Sequence, residues 1–355
     1  MKGILQRIAA QSLLLLATTL AAVSCDVGDY GELCDYNLQL RYDYNEENTS
    51  QQNMIEYYVY GIDEYIFDEE GILFRHNRIT PDVCREYLNS ELTLPPGRYS
   101  VIAIGNRDER SGVWDNLTGN APVEGQTRRE DLRMALDNAE QLDGGTKGPS
   151  EKLYHGYRTF TVKPQGISRV RVNVINAHCF IRFRVTWRNN TTPPRGVDYH
   201  ATLDGIASHY KLMPEYIYPR NTFDYALHDP AIHDDYAPDD NGVIHHIPFT
   251  HFEDRNVLSY RNDTRINADN ELWGEFITYR FKTEDSPVLS IVRSSDDHLI
   301  VPKVIDLRVY FDWYYSNESD YTLKQDYYIN IDIDGNLITM MPLNVADWEE
   351  GGILH

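Results

Sequence analysis

Residues 170–187 read VRVNVINAHCFIRFRVTW, and apolar and polar side chains alternate along this stretch in two successive runs. Val170, Val172 and Val174 are the apolar positions of the first run, and the second places apolar residues at every other position from Ile181 to Trp187. Successive side chains of a strand point to opposite faces, so a period of two predicts two strands, each with one face on a core. We expect a β-rich fold built outward from this pair.

The same alternation returns along most of the chain, separated by turn-forming residues. Asp334-Gly335-Asn336 predicts a tight hairpin, and Asp68-Glu69-Glu70-Gly71 predicts another. Pro95-Pro96-Gly97 leads into a run that is apolar on both faces and therefore predicts a central strand. Beyond residues 170–187, the predicted strands are residues 38–44, 57–67, 72–75, 99–104, 157–162, 275–281, 289–293, 304–311, 327–333 and 337–341.

One short helix is predicted to interrupt the strands. Thr127 is a suitable N-cap, with Glu130 three residues later. The apolar residues that would line one side of this helix before Gly144-Gly145 are Leu132, Leu136, Ala139 and Leu142. Residues 224–254 are rich in Asp, His and Pro with weak periodicity, which predicts a long connection between strands.

The many short strands and the break at Pro164-Gln165-Gly166 favour two domains. We predict an all-β fold of two tandem β-sandwich domains, residues 25–165 and 166–355, with one short helix and long loops.

The first 24 residues have the layout of a lipoprotein signal peptide. Lys2 and Arg7 form a basic start, an apolar segment follows, and small residues precede Cys25. We expect cleavage before Cys25 and lipidation of its thiol. Two alternatives are an uncleaved membrane anchor, for which the apolar run is short, and ordinary secretion with Cys25 in a disulfide.

Charge and cysteine content narrow the function further. The chain has 33 Lys and Arg against 55 Asp and Glu, a net charge of −22, which argues against binding to nucleic acid. Cys34 and Cys84 both lie in the first half and are placed to form a disulfide, which would leave Cys179 as a buried strand thiol. Their spacing does not match a zinc site.

Few residues suggest chemistry. An acidic and histidine-rich cluster has ligand-type side chains but lacks a fixed spacing, so we interpret it as a solvated loop and expect no metal and no cofactor. Asp332 to Asn336 resembles the start of a calcium loop without its final glutamate, and a hairpin explains the same residues. No nucleophile elbow is present, so we do not expect an enzyme. The members of the cluster are His228, Asp229, His233, Asp234, Asp235, His245, His246 and His251.

Several segments taken in order resemble the FimB-type minor fimbrillin family, the cell-surface fimbrial anchor or assembly subunits of type V pili in Bacteroidetes. They are the cysteine at 25 followed by LQLRYDYNEEN (38–48), DEYIFDEEGIL (63–73), LPPGRYSVIAIGN (94–106), LYHGYRTFTV (153–162) and IDIDGNLITMMPLNVADW (331–348). The resemblance implies two transthyretin-like β-sandwich domains and a structural role.

The resemblance further implies a subunit held in the outer membrane by its lipid, which binds fimbrial shaft or other fimbrillin subunits by pairing at a sheet edge. We expect 38–44 and 337–348 to be the edge segments used in assembly. Arg75, Arg78 and Arg85 are expected in loops, where proteolytic maturation would be feasible. The alternative is a surface glycan-binding lipoprotein, whose sugar platform would draw on Trp114, Trp273, Trp313, Tyr314 and Tyr315.

Overall fold

The computed structural model describes residues 35–45, 53–80, 88–136, 148–188, 197–207, 209–212, 215–217, 245–247, 250–251, 257–263, 265–268, 271–280, 285, 287–296, 298–301, 303–314 and 325–342. These residues are mostly strands, as the alternating sequence pattern predicts. None of the helices in this part of the chain combines the length and the apolar character needed to cross a bilayer.

The strands follow in chain order. They are β1 Leu38–Asp43, β2 Ile62–Phe67, β3 Leu73–Ile79, β4 Asn89–Leu92, β5 Gly97–Gly105, β6 Gly112–Asp115, β7 Leu132–Ala135, β8 Tyr154–Val162, β9 Ser168–Asn176, β10 His178–Trp187, β11 Tyr199–Ala207, β12 His209–Lys211, β13 Glu215–Ile217, β14 His245–Ile247, β15 Thr250–His251, β16 Val257–Asp263, β17 Arg265–Ala268, β18 Glu271–Tyr279, β19 Val288–Arg293, β20 Ile305–Asp306, β21 Gln325–Asp334 and β22 Leu337–Pro342. The helices are α1 Ile55–Tyr58, a 3₁₀ turn at Arg129–Asp131, and α2 Leu307–Tyr314.

The first seven-stranded sheet, in the order β3-β2-β5-β8-β9-β1-β4, folds over itself into two layers. Strand β9 passes from one layer to the other, because residues 168–173 pair with β1 in parallel and residues 174–176 pair with β8. In a flat sheet β2 and β1 would lie about 19 Å apart, at roughly 4.8 Å per strand. Instead, the Tyr42 hydroxyl on β1 lies 2.7 Å from the Glu64 carboxylate on β2. The space between the layers is the first core, which includes Leu40, Ile66 and Val172.

A second sandwich follows in the C-terminal half. Its sheets have the orders β17-β18-β10-β21-β22 and β16-β11-β19-β20. Strand β10 lies at the centre of the first of these, antiparallel to β18 and parallel to β21. Its alternate residues Ile181, Phe183 and Val185 are buried in the second core, as the sequence pattern predicts. The all-β class and the sandwich architecture are therefore confirmed.

The two halves share structure. A small sheet of order β15-β12-β7-β6 joins strands from both, with Tyr210 of β12 opposite Met134 of β7. The second core also contains Tyr65, Ile102 and other residues of the N-terminal half. Strand β9 lies beyond the predicted boundary at residue 165, yet it pairs within the first sheet. The sheet pairing favours a boundary after Asn176, and the division into two domains stays a prediction.

Two elements differ from the sequence prediction. The predicted helix that begins at Thr127 is wrong over its first part, because Leu132–Ala135 form strand β7 between β6 and β12. The hydroxyl of Thr127 accepts a hydrogen bond from the Val123 backbone (2.9 Å) instead of capping a helix. All five residues from Leu132 to Leu136 are buried, and those at every second position, Leu132, Met134 and Leu136, belong to the second core, which is the period of a strand. The remainder, residues 137–147, lies outside the described residues.

The second difference is a predicted strand, residues 304–311, most of which is helical in α2. Leu307, Tyr310 and Phe311 are buried while Val309 is 60% exposed, which is the spacing of a helix with one face on a core. The Asp306 carboxylate accepts a hydrogen bond from the Arg308 backbone N–H (2.9 Å), an arrangement typical of a helix N-terminus. The predicted strand 57–67 likewise begins only at Ile62, after α1.

Candidate functional site: the exposed sheet edges

A protein that assembles through strand pairing must present a sheet edge, so its candidate sites are the exposed sheet edges. The predicted edge at 38–44 is wrong. Strand β1 lies between β9 and β4 and is hydrogen-bonded to both. It therefore has no edge to offer. The predicted edge at the C-terminal end is confirmed for Leu337–Pro342: among the described strands, β22 pairs with β21 and ends its sheet. Residues 343–348 lie outside the described residues.

The hairpin of β21 and β22 fixes which backbone groups point outward. Asp334 is paired with Leu337 across a two-residue loop, and Gly335 has φ +59°, which fits a type II′ turn. In this geometry Leu337, Thr339 and Met341 direct their backbone groups toward β21. Ile338 directs its N–H and C=O away from β21. Pro342 takes the same outward parity, where its missing N–H costs no bond to β21.

The side chains of β22 are divided between core and solvent. Ile338 and Met340 are half-buried against the second core, whereas Leu337 is 65% exposed. A strand laid along β22 would therefore continue both the backbone ladder and the apolar inner face of the sheet.

The edge at β3, in contrast, is already occupied by the chain itself. The backbone of Leu73 donates to the Thr127 carbonyl (2.8 Å) and accepts from the Gly125 N–H (2.7 Å). Farther along, the N–H of His76 donates to the Glu124 carboxylate (2.8 Å). Segment 124–127 thus takes the place of a further strand along Leu73 to His76 and protects this part of the edge from pairing.

Behind these edges, a buried carboxylate joins the two layers of the first sandwich. Glu64 on β2 is fully buried and accepts hydrogen bonds from Tyr42 on β1 (2.7 Å), Asn77 on β3 (3.1 Å) and Ser90 on β4 (2.9 Å). Burial raises the pKa of Glu64, against the opposing effect of these hydrogen bonds. The same burial, with the nearby Glu64 charge, raises the pKa of Tyr42. We call these four residues the Glu64 clamp.

A second buried carboxylate lies where the halves meet. Glu151 accepts hydrogen bonds from the N–H (3.0 Å) and the hydroxyl (2.7 Å) of Ser111. The Ser111 hydroxyl also contacts the hydroxyl of Tyr279 on β18. Burial, followed by a hydrogen bond with Asp108, raises the pKa of Glu151. Because Tyr279 belongs to the C-terminal sandwich, this junction couples the two halves in addition to the shared sheet.

The residues proposed for lipid and disulfide chemistry, Cys25, Cys34 and Cys84, lie outside the described residues. Cys179 is a fully buried thiol on β10, as predicted, and burial raises its pKa. Arg75 and Arg78 were expected in loops, but they belong to β3. Arg78 also donates to the Arg107 carbonyl (2.9 Å).

The predicted candidates for chemistry do not converge. Of the histidine and acid cluster, only the backbones of His245, His246 and His251 are described, in β14 and β15. Within the described residues, no three His, Cys, Asp or Glu side chains are grouped to hold a metal ion. The carboxylate of Asp332 instead pairs with Arg188 and accepts from Asn330 (3.0 Å), and its neighbours form a hairpin.

The expected aromatic platform is also not brought together in the described part of the chain. Trp273 is 5% exposed on β18, beneath Arg184 at 5.5 Å from its ring, and Trp114 is half-buried in β6. Trp313 and Tyr314 fall in α2, with side chains outside the description, and Tyr315 is outside it altogether. In the described part of the chain, the exposed aromatic residues are elsewhere, three at Tyr57, Tyr58 and Tyr60 and one at Phe74 on β3.

Sequence reasoning missed both the Glu64 clamp and these tyrosines. The alternation in DEYIF gave no sign that Glu64 faces inward, since its partners come from three other strands. A helical turn at 55–58 was hidden by the strand propensity of consecutive tyrosines.

The chain matches a known protein family over most of its length. Residues 31–350 match the model of fimbrillin-A associated anchor proteins Mfa1 and Mfa2. A comparison with curated protein sequences finds no match.

Among solved structures, a proposed adhesin from Bacteroides ovatus is similar with a TM-score of 0.60 at 14% identity, covering 86% of this chain and 94% of that one. A proposed polysaccharide-binding protein from Bacteroides thetaiotaomicron has the same score and identity, covering 89% and 100%. The fimbrial anchor protein Mfa2 from Porphyromonas gingivalis has a TM-score of 0.54 at 15% identity, covering 86% and 94%.

At these identities the solved structures show a shared fold. The family model spans most of the chain and agrees with the resemblance carried by its strand and turn segments. This protein belongs to the family of fimbrillin-A associated anchor proteins.

Proposed function

We propose that this protein is a non-catalytic, lipid-tethered anchor or accessory subunit of cell-surface fimbriae, and that it binds a fimbrial subunit through the edge of β22. The observation that carries the proposal is the combination of the family match over residues 31–350 with the exposed edge strand Leu337–Pro342. Its partner is a fimbrillin strand, and its location is the outer membrane.

The choice of β22 rests on contrast with the other described edges. Segment 124–127 covers β3 from Leu73 to His76, and seven other edge strands have four residues or fewer: β4, β6, β13, β14, β15, β17 and β20. The seven-residue β16 also ends its sheet, and we choose β22 over it because β22 lies in the segment 331–348 that carries the family resemblance. Strand β22 has six residues and a solvent-facing Leu337 next to half-buried Ile338. Main-chain hydrogen bonds supply the affinity of an added strand, and alternate side chains set its register.

A matched pair of substitutions tests this edge. Ile338→Pro removes the outward N–H that an added strand would use, whereas Ile338→Ala shortens the same side chain and keeps the N–H. We expect Ile338→Pro to lose most of the fimbrial subunits that co-purify with the wild-type protein, and Ile338→Ala to retain them. Equal retention by both variants, with both folded by circular dichroism, would exclude strand addition at β22.

The lipid tether is proposed from the leader alone. Cleavage before Cys25 and lipidation of its thiol would make residue 25 the mechanical link between fibre and membrane. Cys25→Ala is expected to release fibres into the medium, and retention of normal fibres on the cell would contradict this role. A disulfide between Cys34 and Cys84 is part of the same proposal, to be checked by mass spectrometry of peptides digested without reduction.

An anchor should keep its amino-terminal segment, and the position of two arginines supports this. Arg75 and Arg78 lie in a paired strand, and cleavage there would require β3 to leave the sheet. We expect the mature protein in outer-membrane fractions to begin at lipidated Cys25. A mature species that begins after Arg75 or Arg78 would instead indicate a processed shaft subunit.

A further inference from the structure

Three of the exposed large apolar side chains in the described residues occur within four positions of one another. Tyr57 is 71% exposed, Tyr58 39% and Tyr60 56%, on α1 and the turn after it. We call these residues the tyrosine patch. Clustered exposed aromatic residues on a soluble domain commonly mark a binding surface.

The patch is held on a rigid support. Asn106 is buried and has φ +62°, a conformation that side-chain-bearing residues seldom adopt. Its side chain accepts from the Tyr60 N–H (2.8 Å) and donates to the carbonyls of Tyr58 (2.7 Å) and Lys152 (3.1 Å). A strained residue whose side chain fixes a neighbouring turn is typical of a functional site.

Aromatic contacts continue from the patch into the molecule. The ring of Tyr58 meets that of buried Tyr44 edge to face at 5.2 Å, and Tyr44 meets Tyr154 in the same way at 4.9 Å. Tyr58 is therefore held in place before any ligand binds, and its side chain would lose little conformational entropy on binding.

The charged side chains of Asp108 and Arg110 lie near Tyr60. The Tyr60 hydroxyl donates a hydrogen bond to the Asn106 carbonyl (3.3 Å), and Asp108 lies two residues after Asn106 in the chain. Nε and Nη2 of Arg110 donate to Oδ2 of Asp108 (2.9 and 2.7 Å), and both side chains are more than a third exposed. Nη1 of Arg110 donates to the carbonyls of Pro149 (3.1 Å) and Ser150 (3.3 Å). Burial, then the charge of Asp108, raises the pKa of Tyr60. Although burial opposes it, hydrogen bonding with Arg110 lowers the pKa of Asp108 to about 2, so this carboxylate is ionised at neutral pH.

We propose that the tyrosine patch, with Asp108 and Arg110 beside it, binds a neutral saccharide. Sugar rings present C–H faces that pack on aromatic rings, and hydroxyls that donate to a carboxylate and accept from a guanidinium. A net charge of −22 repels polyanions and so disfavours acidic glycans. The patch lies on the N-terminal sandwich and is separate from β22, so saccharide binding is independent of the proposed fimbrial contact.

A protein partner is the competing occupant, and the surface suits it less well. A stable protein interface buries about 800 Å² on each side around a dry apolar centre. Here the exposed rings carry polar tips and are bordered by the charges of Asp108 and Arg110. These features suit a small, hydroxyl-rich ligand better than a protein surface.

Affinity electrophoresis of the mature protein in gels that contain dextran, mannan, xyloglucan or alginate tests the proposal. We expect at least one neutral polysaccharide to retard the protein and alginate to leave its mobility unchanged. The double variant Tyr57→Ala/Tyr60→Ala is expected to bind the retarding polysaccharide about tenfold more weakly or worse. Leu117→Ala, which removes a 73% exposed side chain elsewhere, is the matched control and should bind like the wild type.

Any of three results would overturn the proposal: no retardation by the neutral polysaccharides, retardation that survives the double variant, or preferential binding to alginate. Loss of fimbrial co-purification in the double variant, without saccharide binding, would assign the patch to a protein partner instead. The melting temperature of each variant shows whether it is folded. Asp108→Asn is a second variant that removes only a charge, and it should weaken saccharide binding while leaving the tyrosine rings in place. The proposed fimbrial contact at β22 is tested separately, by comparing the co-purification of fimbrial subunits with Ile338→Pro and with Ile338→Ala.

Discussion

Replacing Glu64 by alanine is the most direct test of how the first sandwich is closed. The clamp joins four strands through one buried carboxylate, and Tyr42 and Ser90 are themselves buried. Loss of the acceptor leaves two buried hydroxyls without this partner, at about 1–3 kcal/mol each. We therefore expect Glu64→Ala to lower the free energy of unfolding by about 2–6 kcal/mol.

Guanidinium chloride unfolding of the chain without its leader, followed by tryptophan fluorescence and circular dichroism, measures this loss. Glu91→Ala on β4 removes an exposed carboxylate and is the matched control, expected to change the free energy by less than about 0.5 kcal/mol. If Glu64→Ala costs no more than Glu91→Ala, the clamp does not hold the layers together and the reasoning fails.

The same clamp predicts a pH dependence. Because burial raises the pKa of Glu64, the folded state binds the proton more tightly than the unfolded state. The resulting stabilisation is fully present below the ordinary glutamate pKa and is lost as pH rises through the folded-state pKa. We expect the free energy of unfolding of the wild type to fall relative to that of Glu64→Gln across this range. A difference between the two proteins that is constant from pH 4 to pH 8 would contradict the assignment.

Three further predictions concern the interior. An added Cβ at Gly274 would clash with Cζ of buried Phe183, so Gly274→Ala should destabilise the protein by about 1–3 kcal/mol. The control is Gly97→Ala, whose added Cβ would lie 3.6 Å from the Tyr99 ring and should not destabilise the protein. Equal melting temperatures of the two variants would refute this prediction. A double-mutant cycle of Ser111→Ala and Tyr279→Phe should give a coupling energy of about 0.5–3 kcal/mol, and strict additivity would mean that their contact does not join the halves. Cys179 should resist iodoacetamide at pH 8 until the protein is unfolded, and rapid labelling of the native protein would show that the thiol is accessible.

Local patterns were sufficient for much of the fold. The alternation of 170–187 predicts β9 and β10 because one face of each run is buried against a core. Asp334-Gly335-Asn336 predicts the last hairpin because glycine adopts positive φ without strain.

Ambiguous periodicity explains the errors. Leu132 and Leu136 lie on one face of either a helix or a strand, and only buried Met134 and the pairing with β12 decide for the strand. In α2, the pattern of Leu307, Tyr310 and Phe311 is helical, but aromatic and β-branched residues suggested a strand.

The site depended on contacts that sequence does not encode locally. Strand β1 is internal because β9 crosses between the layers and pairs with it on one side while β4 pairs on the other. The sequence of residues 38–44 does not predict these partners. The Glu64 clamp joins residues separated by 13 to 26 positions in the chain, and the support of the tyrosine patch joins residues separated by 46 or more.

Photo-crosslinking at β22 shows whether this edge contacts a fimbrial subunit on the cell. A photoreactive amino acid at Leu337, which is 65% exposed on the edge strand, is compared with the same probe at Leu117, which is 73% exposed in the N-terminal half. On intact cells that carry fimbriae, we expect a crosslinked species with a fimbrial subunit from position 337 and none from position 117. Crosslinks to that subunit from 117 alone, or from neither position, would contradict assembly through β22.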